Sequence, residues 1–420
     1  MKRTLLAAIA TTTLTTLPAF AVERAAVLNT YADIAAAKYA DSVATAEILQ
    51  QSIDAFLAAP SPKTLAAARD AWRKARVPYM QTEAYRFGNP IVDEWEGRVN
   101  AWPLDEGLID YVDPVYGGAT DENAYAVLNA IANPSFTLSG QQIDAARITP
   151  ALLQDTLQEA DGVEANVATG YHAIEFLLWG QDLNGTDAGA GNRPWTDYAM
   201  GEACTNGHCE RRAEYLRVAT ALLVNDLAEM AEAWRQGGAA RAALLADETA
   251  GVSAILTGMG SLSYGELAGE RMKLGVMLND PEEEHDCFSD NTHMSHYYDG
   301  VGIQNVYLGR YIRVDGTEVA GPSLSDLVAA AAPDVDAQLR SELAASVAAL
   351  GAIRDAAENG MAYDQMLARG NATGEALILG AVDALVTQTR SIERAVAALN
   401  LDGVSVEGSD SLDDPNAVFQ

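Results

Sequence analysis

The stretch 211-RRAEYLRVATALLVNDLAEMAEAWRQ-236 decides the fold class of this chain. Its apolar residues recur every three or four positions, the spacing that gives an α-helix one apolar face. The residues on that face are Tyr215, Leu216, Ala219, Leu222, Leu223 and Leu227. Because such a helix is stabilised mainly by packing its apolar face, the stretch predicts a helical bundle.

The same spacing continues along most of the chain. It predicts a helix over residues 22–57 and another from Leu65 to Phe87, interrupted by Pro78. Further helices are predicted over residues 122–132, 150–179, 239–246, 249–277, 324–332, 337–356, 361–368 and 374–399. Runs of alternating β-branched residues are almost absent. We therefore expect an all-α fold of two packed helical bundles.

The length and the loop-like stretches indicate how the chain is divided. About 400 residues are more than one core normally serves. We expect an N-terminal bundle over residues 22–205, a C-terminal bundle over 206–405 and a flexible tail over 406–420. Residues 93–113, 180–197 and 280–299 are rich in acidic, Gly, Asn or His residues and are predicted as long ordered loops at the interface.

Residues 1–21 are typical of a secretory signal peptide. Lys2 and Arg3 precede an apolar stretch over residues 5–17, and Ala19 and Ala21 flank Phe20 as a small-x-small cleavage site. No later stretch has the roughly 20 apolar residues of a membrane helix. We expect cleavage after about Ala21 and a periplasmic or secreted protein.

The charge limits the partners. The chain has 27 basic and 59 acidic residues and a formal net charge of −32. Such a protein repels nucleic acid and anionic membrane surfaces and attracts cations. The acidity is explained either by solubility in a salty environment or by cation capture.

The three cysteines fall into two groups. Cys204 and Cys209 are close enough to close a small loop, and in an exported protein they indicate a disulfide rather than a metal pair. Cys287 is left over and is either buried and inert or part of a site.

The first candidate site is His172 with Glu175. On a helix these residues share a face, so they can bind one metal ion together or transfer protons. A lone pair of this kind is often only a hydrogen bond. Here, however, it lies in a strongly apolar helix, where an unpaired Glu would be costly.

Residues 79–96 form the second candidate, in which carboxylates and an arginine are crowded among aromatic residues. The residues singled out are Glu83, Arg86, Asp93, Trp95 and Glu96. The stretch is either a lined pocket or a solvated acidic loop with its tryptophans in the core.

Three of the five histidines fall within residues 282–296, the third candidate. Asp290, His293 and His296 are spaced three apart, so one helical turn could present them together. Metal binding and ordinary loop architecture are both compatible with this spacing.

Several common templates are absent. Neither H-E-x-x-H nor H-x-x-E-H occurs, so the usual zinc-peptidase helices are missing. A loop that begins at Asp182 is similar to a calcium loop, but its twelfth position is Arg193 rather than Glu.

The residues Gly170, His172 and Glu175 form a G-x-H-x-x-E motif that resembles the signature of the imelysin family. The stretches 86–90, 100–107, 269–272 and 287–293 look like its iron-regulated protein A branch, and the likeness covers nearly the whole chain after the signal peptide. The resemblance implies two helical bundles with the signature near their interface. In that branch an acidic residue at the position that resembles Glu83 lies near the metal site. The proline that follows it there is absent from this chain.

Three hypotheses about the function of the protein remain once the resemblance is taken into account. The family is named for an insulin-cleaving metallopeptidase, and one branch belongs to a periplasmic ferrous-iron uptake system. The favoured hypothesis is binding of iron, zinc or another divalent cation, or of a small iron-linked ligand, with periplasmic or outer-membrane uptake components as partners. A zinc metallopeptidase with Glu175 as general base and a scaffold without metal are the alternatives; the motif supplies one histidine where peptidase helices supply two.

We therefore predict a metal set and a pocket set. The predicted metal ligands are His172, Glu175, Glu83 and Asp93, with Asp290, His293 and His296 as further donors. The predicted pocket residues are Arg86, Trp95, Glu96, Gly170 and Arg271. Oligomeric state is left open.

Overall fold

The computed structural model of the protein describes residues 22–120 and 122–419. The predicted signal peptide and its cleavage site lie outside the described residues. In the part that is described, no helix is long and apolar enough to cross a membrane.

Among the described residues, the first half of the chain holds six α-helices, and the four longest of them pack on one another. Helix α1 ends at Ala58, and the Ser61 hydroxyl then accepts from Thr64 N and caps the start of α2. Trp72 of α2 meets Trp179 of α5 with ring centroids 5.4 Å apart. The helices are α1 (Arg24–Ala58), α2 (Pro62–Met80), α3 (Pro90–Glu96), α4 (Glu106–Ile109), α5 (Gly170–Trp179) and α6 (Cys209–Trp234).

The second half forms another bundle around a helix that changes pitch. Helix α8 continues as a π-helix over Leu262–Lys273 and then as α9, and α14 packs along this composite helix and along α12. The elements are α7 (Ala239–Leu245), α8 (Glu248–Ser261), α9 (Leu274–Leu278), α10 (Thr292–Leu308), α11 (Leu324–Ala331), α12 (Pro333–Glu358), α13 (Tyr363–Leu367), α14 (Ala372–Ala398) and α15 (Asp410–Asp413). The all-α prediction is confirmed.

Strands are confined to two short antiparallel hairpins in the described residues. Strands β1 (Ser135–Leu138) and β2 (Gln141–Asp144) pair with Phe136 opposite Ile143. Strands β3 (Arg310–Ile312) and β4 (Glu318–Ala320) pair with Tyr311 opposite Val319.

Helix α6 follows residue 205, yet it packs on α1 and α5. Its apolar face therefore packs on helices of the first half of the chain. The segment predicted as a flexible tail packs on the π-helix: Glu407 N donates to Ser261 Oγ, and Ser411 Oγ donates to Gly269 O.

Three local predictions were wrong. Residues 122–132 form turns rather than a helix, because Asn129 N and Ala130 N bond to the carbonyls of Gly107 and Leu108. The single helix predicted over 150–179 is interrupted after the π-helix Leu152–Leu157, where Glu159 (φ 52°) and Asp161 (φ 59°) are left-handed. The loop predicted over 280–299 is shorter, since α10 begins at Thr292.

Two cysteines are bonded to each other and one is free. Cys204 and Cys209 form a disulfide with their Cα atoms 6.0 Å apart. Cys287 is a buried free thiol.

Candidate functional site

Helix α5 carries His172 and Glu175 into the centre of the protein, and every residue of this helix is buried. Its first residue, Gly170, has φ +81° and lies against the backbone of Val99. A Cβ at this position would lie 2.5 Å from Val99 O. The glycine of the motif is therefore explained by a close backbone approach that no side chain permits.

His172 and Glu175 contact each other as the helical spacing predicted. His172 Nδ1 lies 3.1 Å from Glu175 Oε2, and neither side chain is exposed. The other Glu175 oxygen, Oε1, accepts from the backbone N of Ser289 over 3.0 Å. Glu175 therefore ties the segment before α10 to helix α5.

That segment adds a second imidazole and a second carboxylate. One ligand atom from each of His172, His285 and Asp286 lies within 4.8 Å of the other two. The two imidazole rings have centroids 4.7 Å apart, and Asp286 Oδ1 is 4.0 Å from His172 Nδ1 and 3.8 Å from His285 Nδ1. Two imidazoles and a carboxylate are a donor set that suits Fe(II), zinc and similar ions.

Arg76 of α2 completes the cluster and neutralises Asp286. Its Nη2 donates to Asp286 Oδ1 over 2.8 Å and lies 3.4 Å from His285 Nδ1, while its Nη1 donates to Asn100 over 2.5 Å. Asp286 Oδ2 also accepts from Asn291 Nδ2 over 2.8 Å and from the Ser295 hydroxyl. The carboxylate is thus held in place from several sides.

Burial sets the protonation states of the cluster. Burial, with Arg76 and other positive groups, lowers the pKa of both His172 and His285 well below the usual value. Burial alone would raise the pKa of Asp286, but Arg76 holds it below the usual range. Burial, and then Asp286, raise the pKa of Glu175. Neutral imidazoles beside an ionised carboxylate are the protonation states that a metal ion requires.

One buried imidazole nitrogen of the cluster has no hydrogen-bond partner among the described residues. It is Nε2 of His172. The contact with Glu175 occupies His172 Nδ1, which leaves Nε2 as the ring nitrogen free to bind a ligand. In metal sites, a carboxylate that hydrogen-bonds to the second ring nitrogen of a histidine commonly orients that histidine as a ligand.

A cleft of about 680 Å³ opens beside the cluster, and His285 is part of its wall. Trp102 lies between cleft and cluster, with its ring centroid 5.1 Å from that of His172 and 6.4 Å from that of His285. The acidic residues that line the cleft are Asp93, Glu94, Glu96, Glu159, Glu164, Glu266, Glu270 and Glu283, and the basic ones are Arg86 and Arg271. The excess of carboxylates gives this cleft a field that attracts cations.

The predicted pocket residues separate into two groups. Arg86, Glu96 and Arg271 line the cleft, whereas Trp95 does not. Trp95 packs in the core, where its indole N–H donates to Asp226 O over 3.0 Å, so Trp102 occupies the place that we had assigned to it.

The other predicted metal ligands lie outside the group of three. Glu83 is buried and pairs with Arg271 over 2.8 Å, and half-exposed Asp93 accepts from Arg86 over 3.2 Å at the cleft. Arg271 also contacts Glu266 at 2.7 Å and Asp299 at 3.2 Å, so it links Glu83 to the second bundle.

The histidines predicted from helical spacing are on the helix but outside the cluster. His296 is fully buried against the Tyr363 ring with centroids 5.2 Å apart, and burial lowers its pKa to about 3. Burial lowers the pKa of His293 to about 4. Asp290 precedes α10 and groups with Asp182 and Asp364 instead.

His285, Asp286 and Arg76 were missed at the sequence level. His285 and Asp286 lie in the third candidate stretch. They were not assigned as ligands because Asp290, His293 and His296 in the same stretch have helical spacing and were chosen instead. The adjacent His-Asp pair next to the free Cys287 was the available signal. Nothing in the sequence near Arg76 indicates that it reaches a segment about 210 residues away.

Comparisons with known proteins agree with this architecture. The imelysin family model matches residues 35–392. The chain is 25% identical over 377 residues to iron-regulated protein A of Synechococcus elongatus, covering 86% of this chain and 82% of that protein.

Two crystal structures share the fold. One, from Parabacteroides distasonis and assigned as an iron-regulated protein A precursor, has a TM-score of 0.63 at 19% identity and covers 89% of this chain and 94% of its own. The other, an imelysin-like protein from Psychrobacter arcticum, has a TM-score of 0.54 at 16% identity and covers 91% and 98%.

Proposed function

Since the chain belongs to the imelysin family, we propose that it binds iron, or another divalent metal ion of similar ligand preference, at His172, His285 and Asp286. We further propose that it acts in bacterial iron uptake or homeostasis outside the cytoplasm. The observation that carries the proposal is the convergence of three ligand atoms within 4.8 Å from two distant segments of the chain.

The donor set favours a transition metal over a hard cation. Calcium and magnesium prefer oxygen ligands, whereas imidazole with carboxylate suits iron, zinc and copper. Glu175 would bond to the other ring nitrogen of His172, Nδ1, and so fix the tautomer of the imidazole. The similarity to a protein named iron-regulated protein A supports iron among these metals.

The acidic cleft supplies a route to the site. Its carboxylates raise the local cation concentration, and His285 belongs both to the cleft wall and to the cluster. A cation captured at the mouth of the cleft is thus led toward the two imidazoles.

The disulfide supports a location outside the cytoplasm. Disulfides such as that between Cys204 and Cys209 persist in oxidising compartments and are rare in the cytosol. The signal-peptide pattern in residues 1–21 indicates the same destination.

The geometry disfavours a peptidase. A general base must reach a water or substrate in the cleft. Both oxygens of Glu175 are instead engaged, one by His172 and one by Ser289 N, and the side chain is fully buried.

A scaffold without metal is the second candidate, and the Arg76–Asp286 ion pair favours it. In that case the cluster is a buried polar network that joins α2, α5 and the segment before α10. The guanidinium supplies the positive charge that a metal would otherwise bring.

Metal titration separates these functions. Chelator-treated full-length protein is titrated anaerobically with Fe(II), and separately with Zn(II), by calorimetry. We expect a site that is lost or weakened at least tenfold in both His172→Ala and His285→Ala. The control His208→Asn, at an exposed left-handed position, keeps the wild-type affinity.

Equal affinity in all four proteins contradicts the metal site and leaves the scaffold. Cleavage of an unstructured peptide that requires Zn(II) and Glu175 contradicts the binding role in favour of the peptidase.

A further inference from the structure

A second group of carboxylates converges on the far side of the segment that carries His285 and Asp286. One oxygen from each of Asp182, Asp290 and Asp364 lies within 4.8 Å of the others. The three residues come from the loop after α5, the turn before α10 and the start of α13. Three distant parts of the chain thus bring acidic side chains to one point.

Buried, unpartnered oxygens distinguish this group from an ordinary acidic surface. Glu284 is 1% exposed and Asp364 is 2% exposed. Among the described residues, none of their four carboxylate oxygens has a hydrogen-bond partner, and neither has Asp290 Oδ1. Thr292 lowers the pKa of Glu284 in part, and the backbone N–H groups of Asp364 and Gln365 lower that of Asp364 in part, but these groups lie outside hydrogen-bond geometry. Buried carboxylates without partners are costly.

Three of these carboxylates, those of Asp182, Glu284 and Asp364, border a small space next to Asp290. A cavity of about 10 Å³ is lined by Glu284, Asp364 and Asp182, together with Gly185, Pro281, Glu282 and Cys287. That volume corresponds to about one water-sized sphere. The space therefore suits a single small ion rather than an organic ligand.

No basic side chain neutralises the group. None of Asp182, Glu284, Asp290 and Asp364 forms an ion pair within the described part of the chain. Arg73 acts on Asp290 only from a distance, and it donates to Ser289 O instead. Burial and mutual repulsion raise the pKa of Asp290 to about 7 and that of Asp364 to about 6. A bound cation would relieve this repulsion.

We propose that Asp182, Asp290 and Asp364, with Glu284 beside them, bind one calcium ion. All of these donors are oxygen atoms. Iron and zinc sites usually contain imidazole or thiolate ligands, so an oxygen-only set favours a hard cation instead. They come from a loop, a turn and a short helix with no common geometry, which suits the irregular coordination of calcium better than the strict octahedron of magnesium.

The site differs from the calcium loop that the sequence suggested. Arg193, at the twelfth position of that loop, is bound to Asp110 over 2.6 Å and is not a ligand of this site. Asp182 is the residue that the two have in common; its Oδ1 accepts from Asn184 N over 2.9 Å, which orients the carboxylate.

The consequence is a structural brace for the neighbouring cluster. Glu284 and Asp290 flank His285 and Asp286 in the chain. A calcium ion held by both sides of this segment would fix the backbone that presents the second imidazole. The inference does not depend on iron binding, because it rests on different side chains.

Calcium titration and thermal unfolding of the full-length protein test the proposal. The proteins are wild type, the double variant Asp290→Asn/Asp364→Asn, the single variant Asp182→Asn and the control His208→Asn. We expect wild type and His208→Asn to bind one calcium ion and to unfold at a higher temperature when it is present. Asp182→Asn should bind at least tenfold more weakly, and the double variant should show no calcium-dependent shift.

A second readout guards against a variant that merely misfolds. Without calcium, the double variant has lost two repelling charges, so it should unfold at or above the wild-type temperature. Absence of calcium binding by wild type at millimolar concentration overturns the proposal. So does equal calcium affinity in wild type, Asp182→Asn and the double variant.

Discussion

Arg76 Nη2 donates to Asp286 Oδ1 over 2.8 Å, and both side chains are fully buried. The same guanidinium nitrogen lies 3.4 Å from His285 Nδ1. A metal ion that uses Asp286 must therefore compete with Arg76 for the carboxylate. This competition makes the proposed function testable at one position.

Replacement of Arg76 by Met should produce opposite effects on stability and on metal affinity. Removing one partner of a buried ion pair leaves an uncompensated charge and costs about 3–5 kcal/mol. The freed Asp286 should bind Fe(II) or Zn(II) at least tenfold more tightly, so that saturating metal restores much of the lost stability. Chemical unfolding with and without metal measures both effects.

Arg212→Met is the matched control for this experiment. Arg212 is equally buried and contacts Asp110 over 2.6 Å. None of its hydrogen bonds involves His172 or His285. It should lose less stability than Arg76→Met, because Arg193 still pairs with Asp110 over 2.6 Å, and it should not recover that loss on metal addition. Weaker metal binding in Arg76→Met than in wild type would count against a metal at Asp286.

Gly170→Ala should destabilise the protein by about 3 kcal/mol or more. A non-glycine residue in the left-handed region costs about 1 kcal/mol or somewhat more, and a further cost arises because the new Cβ meets Val99 O at 2.5 Å. Gly162→Ala is the control, since Gly162 has φ +74° and no atom within 4 Å of a built Cβ. The excess loss in Gly170→Ala, measured by denaturant unfolding, isolates the backbone contact; equal losses contradict it.

Lys38 predicts a pH dependence of stability. Burial lowers its pKa from 10.5 to about 7, and its Nζ donates to Gln81 O over 2.7 Å. Between these two pKa values the unfolded chain binds a proton that the folded protein does not, so stability from this group rises with pH.

The comparison with Lys38→Met isolates that contribution. The variant should be more stable than wild type near pH 7, and its advantage should shrink by roughly 2 kcal/mol between pH 7.5 and 9.5. Denaturant unfolding at several pH values measures the difference. An advantage that stays constant over this range would show that Lys38 does not lose its proton on folding.

The sequence predicted the features that depend on neighbouring residues. Helix α6 was placed within two residues of its observed ends, because its apolar face repeats at helical spacing over its whole length. The contact between His172 and Glu175 was predictable for the same reason, since three residues along a helix fix the distance between two side chains. The family resemblance was confirmed by the match over residues 35–392.

The features that depend on distant contacts were not predictable. Asp286 meets Arg76 from about 210 residues away, and Ser289 meets Glu175 across 114 positions. Residues 122–132 have helix-compatible composition, but backbone bonds to Gly107 and Leu108 decide their conformation. In each case the tertiary partner, which no local pattern reveals, outweighs the local preference.

The most direct test of the central claim is an anomalous difference map at the iron absorption edge. Crystals of the full-length protein are soaked anaerobically with Fe(II). We predict one strong peak at bonding distance from His172 and His285, with Asp286 turned toward it. A peak confined to Asp182, Asp290 and Asp364, or no peak beside the two histidines at saturating iron, would contradict the account.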